Sequence, residues 1–122
     1  MYEVTVSGTF SAAHSLRNYR GRCENLHGHN WKVEVTLSGK RLDPAGMLYD
    51  FTRLKEILGE ILSGLDHKNL NDLSIFKKKN PTSENIACYI LNMVRSITSR
   101  QRGIKVECVK VWESEGSHAV CR

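Results

Sequence analysis

The hydrophobic period of this chain changes twice along its length, and that constrains its fold more than any other feature. Residues 2–7 alternate, with Tyr2, Val4 and Val6 on one side and Glu3, Thr5 and Ser7 on the other. This is the two-residue period of a half-buried strand. Residues 30–38 repeat it, with Trp31, Val33, Val35 and Leu37 against Lys32, Glu34, Thr36 and Ser38. The period then lengthens. Leu54, Ile57, Leu58, Ile61, Leu62 and Leu65 recur at three- and four-residue spacing, the stripe of an amphipathic helix. Asp50 is its expected N-cap and Gly64 lies near its end. A second stripe, Ile86, Ala87, Ile90, Leu91, Val94 and Ile97, follows Pro81-Thr82-Ser83-Glu84, with Asn80 or Thr82 as the cap. Residues 104–113 return to strand character, and 118–122 read as a short last strand. The stretch from Gly39 to Gly46 reads as a turn region, and DHKNLNDLSIFKKKNP between the helices as loop. The expected fold is α+β, an antiparallel four-stranded sheet with two helices on one face.

The strand at 104–113 has a peculiarity. Ile104, Val106 and Trp112 share one parity, while Val109 and Val111 take the other. A strand apolar on both faces in so small a chain predicts burial against other subunits.

At 122 residues the chain fits a single domain, 1–122, and can bury a core without a metal or disulfide staple. A metal would therefore serve chemistry rather than folding. The net charge of +5 suits an anionic partner. The run Lys77-Lys78-Lys79 has no interleaved aromatic residues and reads as a solvated loop. The four cysteines, Cys23, Cys88, Cys108 and Cys121, form no C-x-x-C pair. Together these count against a basic zinc module that binds nucleic acid. The opening MYEVTVSG has no apolar leader core, and no apolar run approaches membrane-spanning length. The expectation is a cytoplasmic protein with free thiols and no membrane partner.

His27 and His29, in "HGH", are two residues apart and share the parity of Trp31, Val33 and Val35. Gly28 between them removes a side chain and allows close approach. Phe10, Ala12 and His14 continue the parity of Tyr2, Val4 and Val6. If the first two strands pair, three imidazoles converge, and three neutral imidazoles with an open position form a catalytic zinc site. Cys23 as a fourth ligand would close it into a structural one. Ordinary strand-end histidines are the plainer reading. Asp66 and His67 are adjacent, so a carboxylate can orient an imidazole and raise its basicity, and an imidazole can activate the Cys23 thiol. Glu113 continues the face of Val109 and Val111. A carboxylate there needs a partner, such as a guanidine-like ligand edge gripped through paired hydrogen bonds. His118 has no comparable context and reads as structural.

The ordered segments "FSAAH", "CENLHGHNW", "YDFTRLK", "LDHKNLND", "NPTSENIA" and "VWES" resemble the family of 6-pyruvoyltetrahydropterin and 6-carboxytetrahydropterin synthases. The resemblance spans Phe10 to Glu113. It implies the tunnelling fold, in which three subunits close a barrel and two trimers stack into a homohexamer with active sites at subunit interfaces. It implies His14, His27 and His29 as zinc ligands, and Cys23, Asp66 and His67 as the catalytic triad. Glu113 becomes the anchor of a pterin ring, helped by Thr82 and Ser83 at the second helix start.

The spacing C-x-x-x-H-G-H resembles the carboxytetrahydropterin synthases of queuosine and 7-deazaguanine synthesis. These convert 7,8-dihydroneopterin triphosphate to 6-carboxy-5,6,7,8-tetrahydropterin, releasing acetaldehyde and triphosphate. The alternatives are a 6-pyruvoyltetrahydropterin synthase, or a folate-type cleavage of dihydroneopterin to 6-hydroxymethyldihydropterin in which Glu24, in E-x-x-H-G-H, is the catalytic group. On each reading the partner is a small pterin rather than a nucleic acid.

Overall fold

The computed structural model describes residues 1–18 and 25–122. Two long strands, β1 (Tyr2–His14) and β2 (His27–Gly39), precede helix α1 (Phe51–Ser63). Strand β3 (Lys68–Asn69) and two 3-10 turns lead to helix α2 (Ser83–Thr98), and strands β4 (Lys105–Ser114) and β5 (Ser117–Cys121) complete the chain. The sheet order is β3-β1-β2-β4-β5. The four antiparallel strands are as expected. The expected count misses β3, which pairs in parallel with Ala12 and Ala13 of β1. A two-residue strand carries no period, so the stretch that supplies it reads as loop.

The alternating faces fall where the period places them. Val6, Phe10, Ala12, Trp31, Val33, Val35 and Leu37 are buried under the helices. Every member of the first helical stripe is buried, and in the second only Ile97 is partly exposed. Asp50 caps α1, its carboxylate accepting the Thr52 N–H at 2.8 Å. Thr82 caps α2, its hydroxyl oxygen accepting the Asn85 N–H at 3.1 Å. Gly64 is the C-cap of α1.

Strand β4 corrects the two-sided reading in part. Its register against β2 shifts between Thr36 and Leu37, where Thr36 faces Cys108 and Leu37 faces Val106. Glu107 is the extra residue of a β-bulge, which reverses the parity of the strand beyond it. Val106, Val109 and Val111 therefore share one core. The bulge accounts for Ile104 and Val106, whereas Trp112 keeps the side opposite Val109 and Val111, against Lys32 and His118.

The free-thiol expectation is corrected too. Cys88 of α2 and Cys121 of β5 form a disulfide, with Cα atoms 5.4 Å apart, a separation that suits such a bridge. Cys108 is free and buried. His118 stacks on Trp112 at 4.6 Å between ring centroids. Lys77, Lys78 and Lys79 are exposed, as expected. Among the described residues, no helix is long and apolar enough to cross a membrane.

Candidate functional site

The pairing of β1 with β2 sets His14 opposite His27 and Ala12 opposite His29. All three imidazoles project to the helix-facing side at one end of the sheet, because their parity is that of the core residues that follow. Trp31 underlies them, with its ring 4.9 Å from that of His14 and 5.2 Å from that of His29. Its indole N–H donates to the Ala12 carbonyl at 3.2 Å, which satisfies the one polar atom of a fully buried side chain.

Two backbone carbonyls fix the rings. His14 Nδ1 donates to Pro81 O at 2.7 Å and His27 Nδ1 to Asn25 O at 2.7 Å. A carbonyl only accepts, so each Nδ1 carries the proton and the neutral ring keeps its lone pair on Nε2. Those two Nε2 atoms lie 3.1 Å apart. Glu113 of β4 completes the group, with Oε1 at 3.2 Å from His14 Nε2 and 2.8 Å from His29 Nε2. The approach to His29 lacks N–H···O alignment, so this buried Nε2 has no hydrogen-bond partner among the described residues. Burial pushes the His29 imidazole below its ordinary pKa, against the pull of Glu113, and the neighbouring His14 and His27 push the same way.

Donor atoms of His14, His27, His29 and Glu113 all lie within 4.8 Å of one another. Converging lone pairs beside a carboxylate oxygen repel one another unless a cation lies among them. Nitrogen and oxygen donors in this number fit a divalent transition metal. The residues present therefore fit a metal ion. The convergence of His14, His27 and His29 is as the parity predicts. Glu113 faces the side predicted for it and joins the cluster directly, a juxtaposition that sequence parity cannot measure.

Asp66 and His67 lie on the segment after α1, at the outer edge of β1. The Ser11 N–H donates to Asp66 Oδ1 at 2.8 Å, and the His67 N–H donates back to Ser11 O at 2.6 Å. His67 Nδ1 meets Asp66 Oδ2 at 2.9 Å. This bracket holds His67 at φ +57°, a left-handed conformation that costs a non-glycine residue about 1–3 kcal/mol. The Ser11 N–H, followed by His67, holds the Asp66 carboxyl below the usual carboxylate range. The His67 ring is 82% exposed and lines a cleft of about 470 Å³ with Ser11, Ala13, Gly28, His29 and Asn30. His67 of the expected triad and His29 of the expected metal ligands thus border the same space, while Asp66 lies behind His67 and outside that lining.

Cys23 and Glu24 lie outside the described residues. Thr82 and Ser83 start α2, beside the Pro81 carbonyl that holds His14. Gly28 is not needed for close approach, since a Cβ there would meet nothing nearer than Ala12 O at 3.9 Å among the described residues. Sequence reasoning missed Ser11, Pro81 and Trp31, which position the chemical groups. The first two act through the backbone, which leaves no signal in side-chain type, while Trp31 is visible only as a core residue.

A relative from Archaeoglobus fulgidus named putative 6-carboxy-5,6,7,8-tetrahydropterin synthase is 39% identical over 119 residues, covering 98% of this chain and 94% of that protein. A relative from Pyrococcus furiosus named dihydroneopterin monophosphate aldolase is 33% identical over 110 residues, covering 90% of this chain and 88% of its own length. The solved structure of Caenorhabditis elegans 6-pyruvoyl tetrahydropterin synthase matches with a TM-score of 0.84 at 33% identity, over 100% of this chain and 96% of that one. Residues 3–122 match the family described as 6-pyruvoyl tetrahydropterin synthase. Sequence, fold and the histidine cluster agree, and the chain belongs to the 6-pyruvoyl tetrahydropterin synthase family.

Proposed function

We propose that this protein is a zinc-dependent 6-carboxytetrahydropterin synthase, a carbon–carbon lyase of queuosine and 7-deazaguanine biosynthesis. It converts 7,8-dihydroneopterin triphosphate to 6-carboxy-5,6,7,8-tetrahydropterin with release of acetaldehyde and triphosphate. The observation that carries the reading is the convergence of His14, His27 and His29 beside the cleft that His67 lines. The relation to the Archaeoglobus protein supports the branch, and the positive charge of the chain suits a triphosphate.

His14, His27 and His29 hold the metal. When bound, it supplies a Lewis acid for the side-chain hydroxyls of the substrate. Glu113 receives the guanidine-like edge of the pterin, where a carboxylate accepts two parallel hydrogen bonds. The Thr82 hydroxyl accepts the capping N–H through its oxygen and retains its proton to donate to the ring, and Ser83 lies beside it. Asp66 holds the proton on His67 Nδ1, leaving Nε2 to move a proton on one side of the substrate. The Cys23 thiolate serves as base on the other. The protein works in the cytoplasm as a homohexamer, a dimer of trimers with active sites at subunit interfaces.

Incubation of zinc-loaded protein with 7,8-dihydroneopterin triphosphate should release acetaldehyde in step with 6-carboxytetrahydropterin, both read by mass spectrometry. Accumulation of 6-pyruvoyltetrahydropterin alone would refute the branch. Full activity in Cys23→Ala would remove the thiol from the mechanism.

The Pyrococcus relative favours a second reading. Here Glu24 is the catalytic group for retro-aldol cleavage of a dihydroneopterin to 6-hydroxymethyldihydropterin. Glycolaldehyde release that survives Cys23→Ala and disappears in Glu24→Ala is its expected signature.

A further inference from the structure

At the end of β2 remote from the histidines lies a second cavity, of about 570 Å³. It is enclosed by Ser38 and Gly39, by the turn that follows them, and by the connection from α2 to β4. At a rise of about 3.3 Å per residue, the 13 residues of β2 set it about 40 Å from His27. It is therefore separate from the metal cluster of the same chain.

Its walls and its charges differ in character. Leu48, buried at 5% exposure, and the partly buried Ile104 give it an apolar interior. Lys40, Arg41, Arg102 and Lys105 also line it. Two acids lie close by, Asp43 in the wall and Glu107 on β4. Asp43 Oδ1 accepts the Ala45 and Met47 N–H groups, each at 2.9 Å. Glu107 accepts the Ser38 hydroxyl at 2.8 Å and pairs with Lys105 at 3.5 Å. Lys40, Arg41 and Arg102 have no ion pair among the described residues. Among the described lining residues Asp43 is the one acid against Lys40, Arg41, Arg102 and Lys105, so the wall carries a net positive charge that suits an anion.

The walls are fixed by close backbone packing. A Cβ on Gly39 would lie 2.6 Å from Leu48 Cδ1 and 2.8 Å from Gly103 O, and Gly103 itself has φ +81°. Only glycine lets β2 pass this near the connection. An apolar cavity of this size with a few convergent charges is the usual form of a small-molecule site.

We propose that this cavity is a second ligand site, for a phosphorylated small molecule with a heteroaromatic body. The body lies against Leu48 and Ile104. The phosphates meet Arg41 and Arg102, whose planar guanidinium groups pair with phosphate through two hydrogen bonds. The proposal is independent of the reaction assigned to the histidine cluster.

Isothermal titration of the full-length protein with ATP, tripolyphosphate and adenosine tests it. Saturable ATP binding is expected, at one per chain, with tripolyphosphate weaker and adenosine weakest. Arg41→Ala with Arg102→Ala, both exposed positions, should weaken ATP binding at least tenfold. Lys78→Ala with Arg95→Ala removes the same charge from exposed sites elsewhere and should change it less than twofold. Absence of saturable ATP binding, or equal loss in both double variants, overturns the site. Tripolyphosphate binding as tightly as ATP overturns the heteroaromatic body.

Discussion

His29 concentrates the chemistry of the cluster in one atom. Its Nε2 is buried, lacks a hydrogen-bond partner among the described residues and faces a carboxylate oxygen at 2.8 Å. A metal ion resolves all three conditions together. His29→Ala should therefore lower zinc affinity by more than the about 10–100-fold that loss of an outer contact costs. Chelator competition measures this, and unchanged affinity would place the metal elsewhere. Asp66 allows a pH test. Its carboxyl is held below the usual range chiefly by the Ser11 N–H. A depressed folded-state pKa gives stability that is fully present above the unfolded value and lost as pH falls through the folded one. The difference in unfolding temperature between the parent and Asp66→Asn should be constant near neutrality and shrink in acid below the ordinary carboxylate range. A gap that persists there would mean that the charge contributes nothing.

Among the elements, β5 is short and is held from behind by the bridge between Cys88 and Cys121. The cross-link spans 33 residues of sequence, a loop for which chain entropy predicts about 3–4 kcal/mol of stabilisation. Denaturant unfolding of oxidised protein and of Cys88→Ser should differ by about that amount. Reductant should bring the parent down to the variant and leave the variant where it is. Disulfides are uncommon in the cytosol outside hyperthermophiles, so the redox state of this pair in freshly lysed cells bears directly on the proposed location. The bulge in β4 is the other decisive local feature. It turns Val106 and Val109 to one side despite their odd separation, and it leaves Glu107 free to bind Ser38.

At the scale of the whole molecule, the sheet has two open edges. Among the described residues, β3 pairs with β1 only at Ala12 and Ala13, so the rest of the outer edge from Tyr2 to Phe10 has no strand partner, and β5 has none on its far side. Unpaired edges invite pairing with another chain. Joining one edge to the other, head to tail, closes a ring. Light scattering on the purified protein should give a single hexameric mass. Deletion of Ser117–Cys121 should yield smaller species, and a monomeric parent would remove the interface from the proposed active site.

Sequence by itself determined the two helices, the four antiparallel strands, the buried side of β1, β2 and both helices, and the convergence of His14, His27 and His29. All of these follow from period and parity, which the backbone imposes on every residue alike. Asp66 and His67 were legible as neighbours, and Glu113 as a residue facing the same side as Val109 and Val111. Tertiary structure alone decided the rest. The short parallel β3 has too few residues to show a period. The bulge at Glu107 inserts one residue and inverts the parity beyond it, so alternation misleads there. The bridge joins Cys88 to Cys121 because α2 packs across β5, and spacing along the chain does not encode that approach. The carbonyls of Pro81 and Asn25 and the backbone of Ser11 orient the reactive side chains through groups that every residue carries, so only their placement in space reveals them.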